Sequence, residues 1–200
     1  MNNPLLIGIT GGIGSGKSII TEIFSLLGIP VYYADIRAKS LMNEDEQLID
    51  EIIKQFGEQS YEKGELNRQY LAERVFNNKD EIVTLNKLVH PAVARDFKSW
   101  SQQQKSVYIL KEAALLFETE SFKELDKTIL VVAPENTRIE RVLKRDPERS
   151  EAQIKNIMKR QMTVERAESL ASWIIKNDES ELIIPQIMEI HEAIIKVANQ

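Results

Sequence analysis

At 200 residues, 42% hydrophobic and 28% charged, the chain suits one compact domain with a full core and room for small appended substructures. A formal charge of -5 argues against general polyanion binding, and the lack of cysteine removes both a disulfide framework and a thiolate metal site. The start Met1-Asn2-Asn3-Pro4 has none of the basic and apolar regions of a signal peptide, and apolar runs such as Ile129 to Ala133 fall far short of the ~20 residues that cross a bilayer. The expectation is a cytoplasmic protein that binds neither membrane nor nucleic acid.

The first element in chain order is a buried strand, Leu5 to Thr10, a short β-branched run. A glycine-rich stretch then opens a helix, Lys17 to Leu27, which Gly28 stops. Val31 to Ala34 is a weaker strand. Between Ile36 and Gln104 the pattern turns helical with no convincing strand: Asp45 to Phe56 has apolar residues at 48, 49, 52, 53 and 56, and Pro91 reads as the first residue of a new helix after His90. Strands resume at Val107 to Leu110 and Thr128 to Ala133, and a helix from Glu135 to Arg145 follows Pro134. Ser150 and Gln153 have the spacing of a capping box, and Trp173 to Lys176 is a last strand before a helix reaching Ala198. Strands alternating with helices predict an α/β fold whose parallel sheet is covered on both faces. Residues 36–104 and 146–170 interrupt it as helical excursions. Arg138 to Arg166 holds nine basic against five acidic residues, read either as a local positive field or as a solvated helix face.

Gly11-Gly12-Ile13-Gly14-Ser15-Gly16-Lys17-Ser18 matches G-x-x-x-x-G-K-[ST] between a strand and a helix, the context this motif requires. Glycines let successive N–H groups curl around phosphate oxygens, and the following helix turns its positive end to the same anion. Lys17 then reaches the β- and γ-phosphates, and the Ser18 hydroxyl ligates Mg²⁺. A mere glycine turn would not need Lys17. A dinucleotide loop beginning at Gly12 would need glycine at 17, and a GTPase switch would need a later glycine, but none follows Gly64. No N-K-x-D motif is present, so ATP is favoured over GTP.

In such a sheet ligands gather at the carboxyl ends of the strands, where Asp35 follows Val31 to Ala34. It is open to two readings, a catalytic base or a helix N-cap. Arg141 and Arg145 lie four apart on one helix face, a spacing that suits either a polyphosphate clamp or a solvated surface. Trp100 and Trp173 lie in apolar patterns and read as packing residues. His191 has no assigned role, and two histidines without cysteine offer no transition-metal site.

Ile7 to Ser18 with Tyr33-Ala34-Asp35 resembles the dephospho-CoA kinase family. The likeness continues in order through Leu71 to Phe76, Leu85-Asn86, His90-Pro91, Leu115-Leu116-Phe117-Glu118, Lys144-Arg145-Asp146 and Gln161-Met162. The resemblance implies a P-loop three-layer α/β/α fold with a five-stranded parallel sheet. The nucleotide-binding core would be 1–35, 105–145 and 171–200, the CoA-substrate-binding region 36–104 and the small helical lid 146–170. It further implies ATP-dependent phosphorylation of the ribose 3′-hydroxyl of dephospho-CoA, with Mg²⁺, by a monomer or small homo-oligomer. Lys17, Asp35 and Arg145 would be catalytic. Gly12, Ile13, Gly14, Ser15, Gly16, Lys17, Ser18, Ile19, Arg141 and Asn177 would hold ATP, and Asp35, Arg74 and His90 the acceptor. Where many family members have aspartate before a Pro-Leu-Leu-Phe-Glu segment this chain has Glu112, which would serve the metal through a water. Another small-molecule P-loop kinase, for nucleosides or nucleotides, is the alternative, and a non-catalytic ATP-binding module a more distant one.

Overall fold

The computed structural model describes residues 3–76 and 78–198. The chain runs β1 (Leu5–Thr10), α1 (Lys17–Leu26), β2 (Val31–Tyr33), α2 (Ala34–Glu44), α3 (Glu46–Phe56), β3 (Tyr61–Glu62), β4 (Glu65–Leu66), α4 (Arg68–Phe76) and α5 (Lys79–Gln102). It continues through β5 (Tyr108–Glu112), β6 (Lys127–Val132), α6 (Glu135–Arg145), α7 (Glu151–Met158), α8 (Val164–Leu170), β7 (Trp173–Lys176) and α9 (Ile183–Ala198). Two compact units result, one formed by Met1–Tyr33 with Gln104–Gln200 and the other by Ala34–Gln103. Among the described residues no helix is long and apolar enough to cross a membrane.

The first unit holds the expected five-stranded parallel sheet, in the order β2-β5-β1-β6-β7. Alternation along the strands sorts side chains between its faces. On one face Ile7 and Ile9, Tyr108 and Leu110, Ile129 and Val131, and Ile175 meet Ile20 and Phe24 of α1 and Ile187, Ile190 and Ile194 of α9. On the other, Leu130 packs with Phe117 and with Ala167 of α8. The buried Tyr108 hydroxyl is hydrogen-bonded to Nδ1 of His191 at 2.8 Å, which gives that histidine a structural role. Gly28 stops α1 as expected, the Ile29 N–H donating to the Phe24 carbonyl across the turn.

The second unit is mainly helical. In α3 the Asp45 carboxylate caps the Leu48 N–H at 2.9 Å, and Leu48, Ile52 and Phe56 form the buried stripe. Two expectations are corrected here. Pro91 lies inside α5 and does not begin a helix. Proline removes one helical hydrogen bond, but Val89, Ala92, Val93 and Phe97 form one buried stripe running across it, and that burial holds the two halves in a single frame. The segment also contains strand structure: β3 and β4 pair in an antiparallel hairpin around Lys63 and Gly64, at φ 54° and 84°. Two positive φ values are what a tight type I′ turn demands.

Candidate active site around the phosphate loop

The loop from Gly11 to Ser18 joins the central strand β1 to α1 at the carboxyl end of the sheet. Gly16, the N-cap of α1, has φ 94° and ψ 20°, a left-handed conformation that turns the chain into the helix and that a Cβ would strain. The turn is closed by the Ser15 N–H donating to the Gly12 carbonyl at 3.0 Å. Lys17 Nζ donates to the Gly11 carbonyl at 2.7 Å, which folds the ammonium back over the mouth of its own loop. Ser18 is exposed in the first turn of α1, and the Thr21 hydroxyl behind it donates to the Lys17 and Ser18 carbonyls.

Side chains from distant segments grip this loop. Asn177, just past β7 and 8% exposed, donates from Nδ2 to the Ser15 carbonyl at 2.8 Å. Arg141 of α6 approaches Asn177 Oδ1 with Nη2 at 3.5 Å and Glu179 at 3.6 Å. Ile13 is held twice: its side chain packs on Ile139, Val142 and Ile154 of α6 and α7, and its N–H donates to Gln161 Oε1 at 2.9 Å. The next residue, Met162, donates its N–H to Glu118 Oε1 at 2.7 Å, so Leu115–Glu118 and Gln161-Met162, separate motifs in sequence, meet beside the loop.

Several polar side chains around the loop are not fully paired within the protein. Four buried side-chain nitrogens or oxygens lack a hydrogen-bond partner among the described residues: Ser15 Oγ, Ser60 Oγ, Arg138 Nε and Arg141 Nη1. Three of the four lie in or beside this one loop, and a buried polar group left unpaired is costly and calls for an explanation. Burial holds the Arg138 guanidinium below the usual arginine pKa, with Glu135 opposing.

Not every expected residue gathers here. Arg145 is 64% exposed in its side chain and forks onto Asp146 at 3.0 and 2.9 Å, and Arg149 joins it at 3.2 Å. These hydrogen bonds, the one from Arg145 foremost, hold the Asp146 carboxyl below the usual range. Glu112 ends β5 opposite Ile9, next to the strand that feeds the loop, while Lys111 is turned to the other face and buried, its pKa lowered by that burial. Glu112 and Ser18 supply hard oxygen donors. No group of three or more His, Cys, Asp or Glu that could hold a metal ion lies among the described residues.

In the second unit Asp35 is exposed, in the first turn of α2 two residues beyond β2. Since α2 begins at Ala34, Asp35 stands inside the helix and is not its N-cap. Arg74 forks onto Glu81 at 3.3 and 3.0 Å and also reaches the Tyr70 hydroxyl and the Phe56 carbonyl. His90 is exposed in the middle of α5. Arg138 and Gln161 touch the loop without having been assigned to it from sequence. Arg138 stands one turn before Arg141 on the same helix.

A complete phosphate loop after the central strand of a five-stranded parallel sheet, gripped by arginines from a helix beyond it, defines a P-loop kinase. The family model described as dephospho-CoA kinase matches residues 5–182. A dephospho-CoA kinase of Bacteroides fragilis is 36% identical over 185 residues, covering 92% of this chain and 90% of that protein. Among solved structures, a Thermus thermophilus protein superposes with a TM-score of 0.81 at 28% identity, covering 98% of both chains. The dephospho-CoA kinase of Campylobacter jejuni gives 0.68 at 25% identity over 97% of both. The chain belongs to the dephospho-CoA kinase family.

Proposed function

We propose that the chain transfers the γ-phosphoryl group of ATP to the ribose 3′-hydroxyl of dephospho-CoA, forming coenzyme A and ADP in the last step of coenzyme A synthesis. The observation that carries this reading is the family match over residues 5–182, which runs through both the phosphate loop and the helical unit. In the reaction the 3′-oxygen forms a bond to the γ-phosphorus as the bond to the β,γ-bridging oxygen breaks, and the hydroxyl proton passes to Asp35.

Loop residues Gly12 to Ser18, with Ile19 behind them, hold the triphosphate, and Lys17 neutralises its β- and γ-oxygens. Mg²⁺, held by Ser18 and through water by Glu112, would screen the charge that builds on those oxygens. Arg141 and Asn177 hold the nucleotide at the Ser15–Gly16 end of the loop. Arg145 belongs to the transition state: released from Asp146 on closure of the 146–170 lid, its planar donors meet the charge spread over the transferred group. Arg74 and His90 act on the acceptor side.

The direct test supplies the purified protein with Mg-ATP and a panel of acceptors. ADP release is expected to require dephospho-CoA and to yield coenzyme A. Turnover with nucleosides or nucleoside monophosphates, and none with dephospho-CoA, would replace this reading by that of another small-molecule kinase.

A further inference from the structure

α6 carries two arginines, three residues apart, to opposite ends of the phosphate loop. Arg141 serves the Ser15–Gly16 end: a Cβ built on Gly16 would stand 2.1 Å from Asn177 Nδ2 and 3.8 Å from Arg141 Nη1. Arg138 serves the other. Its main chain lies against Gly14, where an added Cβ would come 2.4 Å from the Arg138 carbonyl oxygen. Its side chain then reaches back to Gly12, where an added Cβ would stand 2.2 Å from Nη1 of Arg138 and 3.3 Å from Oε1 of Gln161.

The Arg138 guanidinium is incompletely paired at this place. Its Nε is buried without a hydrogen-bond partner among the described residues, and arginine cannot shed its proton to escape the cost. The cleft around it is lined by Gly11, Gly12, Ala114, Glu118 and Gln161, of which Glu118 already accepts from Met162 N–H and Gln161 from Ile13 N–H. The Gln161 carboxamide oxygen thus accepts from a loop N–H, and both it and the Arg138 guanidinium lie close to Gly12, where an anionic oxygen would be the stronger acceptor. The ends of the loop are also chemically distinct. Arg141 and Asn177 lie at the end assigned above to the nucleotide, whereas Gly11, Gly12 and Ala114 adjoin the carboxyl ends of β1 and β5, where Glu112 lies.

We propose that Arg138 binds the terminal phosphate of the bound nucleoside triphosphate, as a second cation beside Lys17, and that a phosphate oxygen replaces the Gln161 carboxamide as the acceptor from the Ile13 N–H when nucleotide arrives. The inference rests on the nucleotide reading of the loop given above. It assigns Arg138 and Arg141 of α6 to different parts of one ligand, with Arg138 selecting triphosphate over diphosphate.

Calorimetric binding of ADP and of a non-hydrolysable β,γ-imido ATP analogue, each with Mg²⁺, tests it on the full chain. Arg138→Ala removes the whole side chain, and Arg138→Gln keeps a polar stem while deleting the charge. In both, affinity for the analogue is expected to fall roughly 10- to 100-fold, the range of a lost charge-assisted hydrogen bond, and affinity for ADP to change by less than about 3-fold. Equal weakening of both nucleotides, or an unchanged preference for the analogue, would overturn the role of Arg138 while leaving the nucleotide site intact. A wild-type protein that binds neither nucleotide would instead bring down the reading of the loop, and this inference with it.

Discussion

Asp35 is the residue proposed above to take the proton of the acceptor hydroxyl. It is exposed in the first turn of α2. Asp35→Ala is expected to leave ATP binding unchanged and to lower kcat by at least ~100-fold, the lower range for loss of a general base. Nucleotide titration beside steady-state rates separates the two effects, and an unaltered kcat would remove Asp35 from the mechanism. The residues legible from sequence at this scale were those in a contiguous motif, because Gly11 to Ser18 encode loop geometry and charge within eight positions. Arg138 and Gln161 were not legible. Their meeting at Gly12 depends on where α6 and the end of α7 come to rest, and that is decided by packing of Ile13 on Ile139, Val142 and Ile154, not by any local pattern.

Among the elements, α7 best shows a helix whose boundaries are written in its caps. It has only eight residues, too few to persist by propensity, and one buried side chain, Ile154, anchors it. The capping box expected of Ser150 and Gln153 is present: Gln153 N–H donates to Ser150 Oγ at 3.3 Å and Ser150 N–H to Gln153 Oε1 at 2.8 Å. Ser150→Ala should therefore destabilise α7 by about 1 kcal/mol, seen as faster amide exchange confined to residues 151–158, with β1 and β6 unaffected. Exchange unchanged in α7 would mean that the contacts of Ile154 alone hold the helix. Caps are local chemistry and could be read in advance. The single frame of α5 across Pro91 and the β3–β4 hairpin could not, since the first is imposed by a buried stripe and the second rests on two residues a strand.

For the whole molecule, sheet order and phosphate loop are linked through one apolar core. Phe24 is fully buried in α1, the helix that the loop opens, and it packs in the cluster that joins β1, β5 and β6 to α9. Truncation to alanine removes a large buried side chain and leaves a cavity, at a cost of about 3–5 kcal/mol, a large share of the roughly 5–15 kcal/mol that holds an ordinary domain folded. The loop's geometry is inherited from that packing, so ligand binding and core stability draw on the same folded state. A nucleotide that binds only this state returns about 2.7 kcal/mol at 100 times its dissociation constant. Phe24→Ala should thus unfold at distinctly lower temperature or denaturant concentration, and saturating Mg-ATP should recover a substantial part of the loss, measured by thermal or urea unfolding. If nucleotide stabilises the wild type but not this variant, the loop fails to form once the core beneath α1 is loosened; if it stabilises neither, the loop does not hold triphosphate at all.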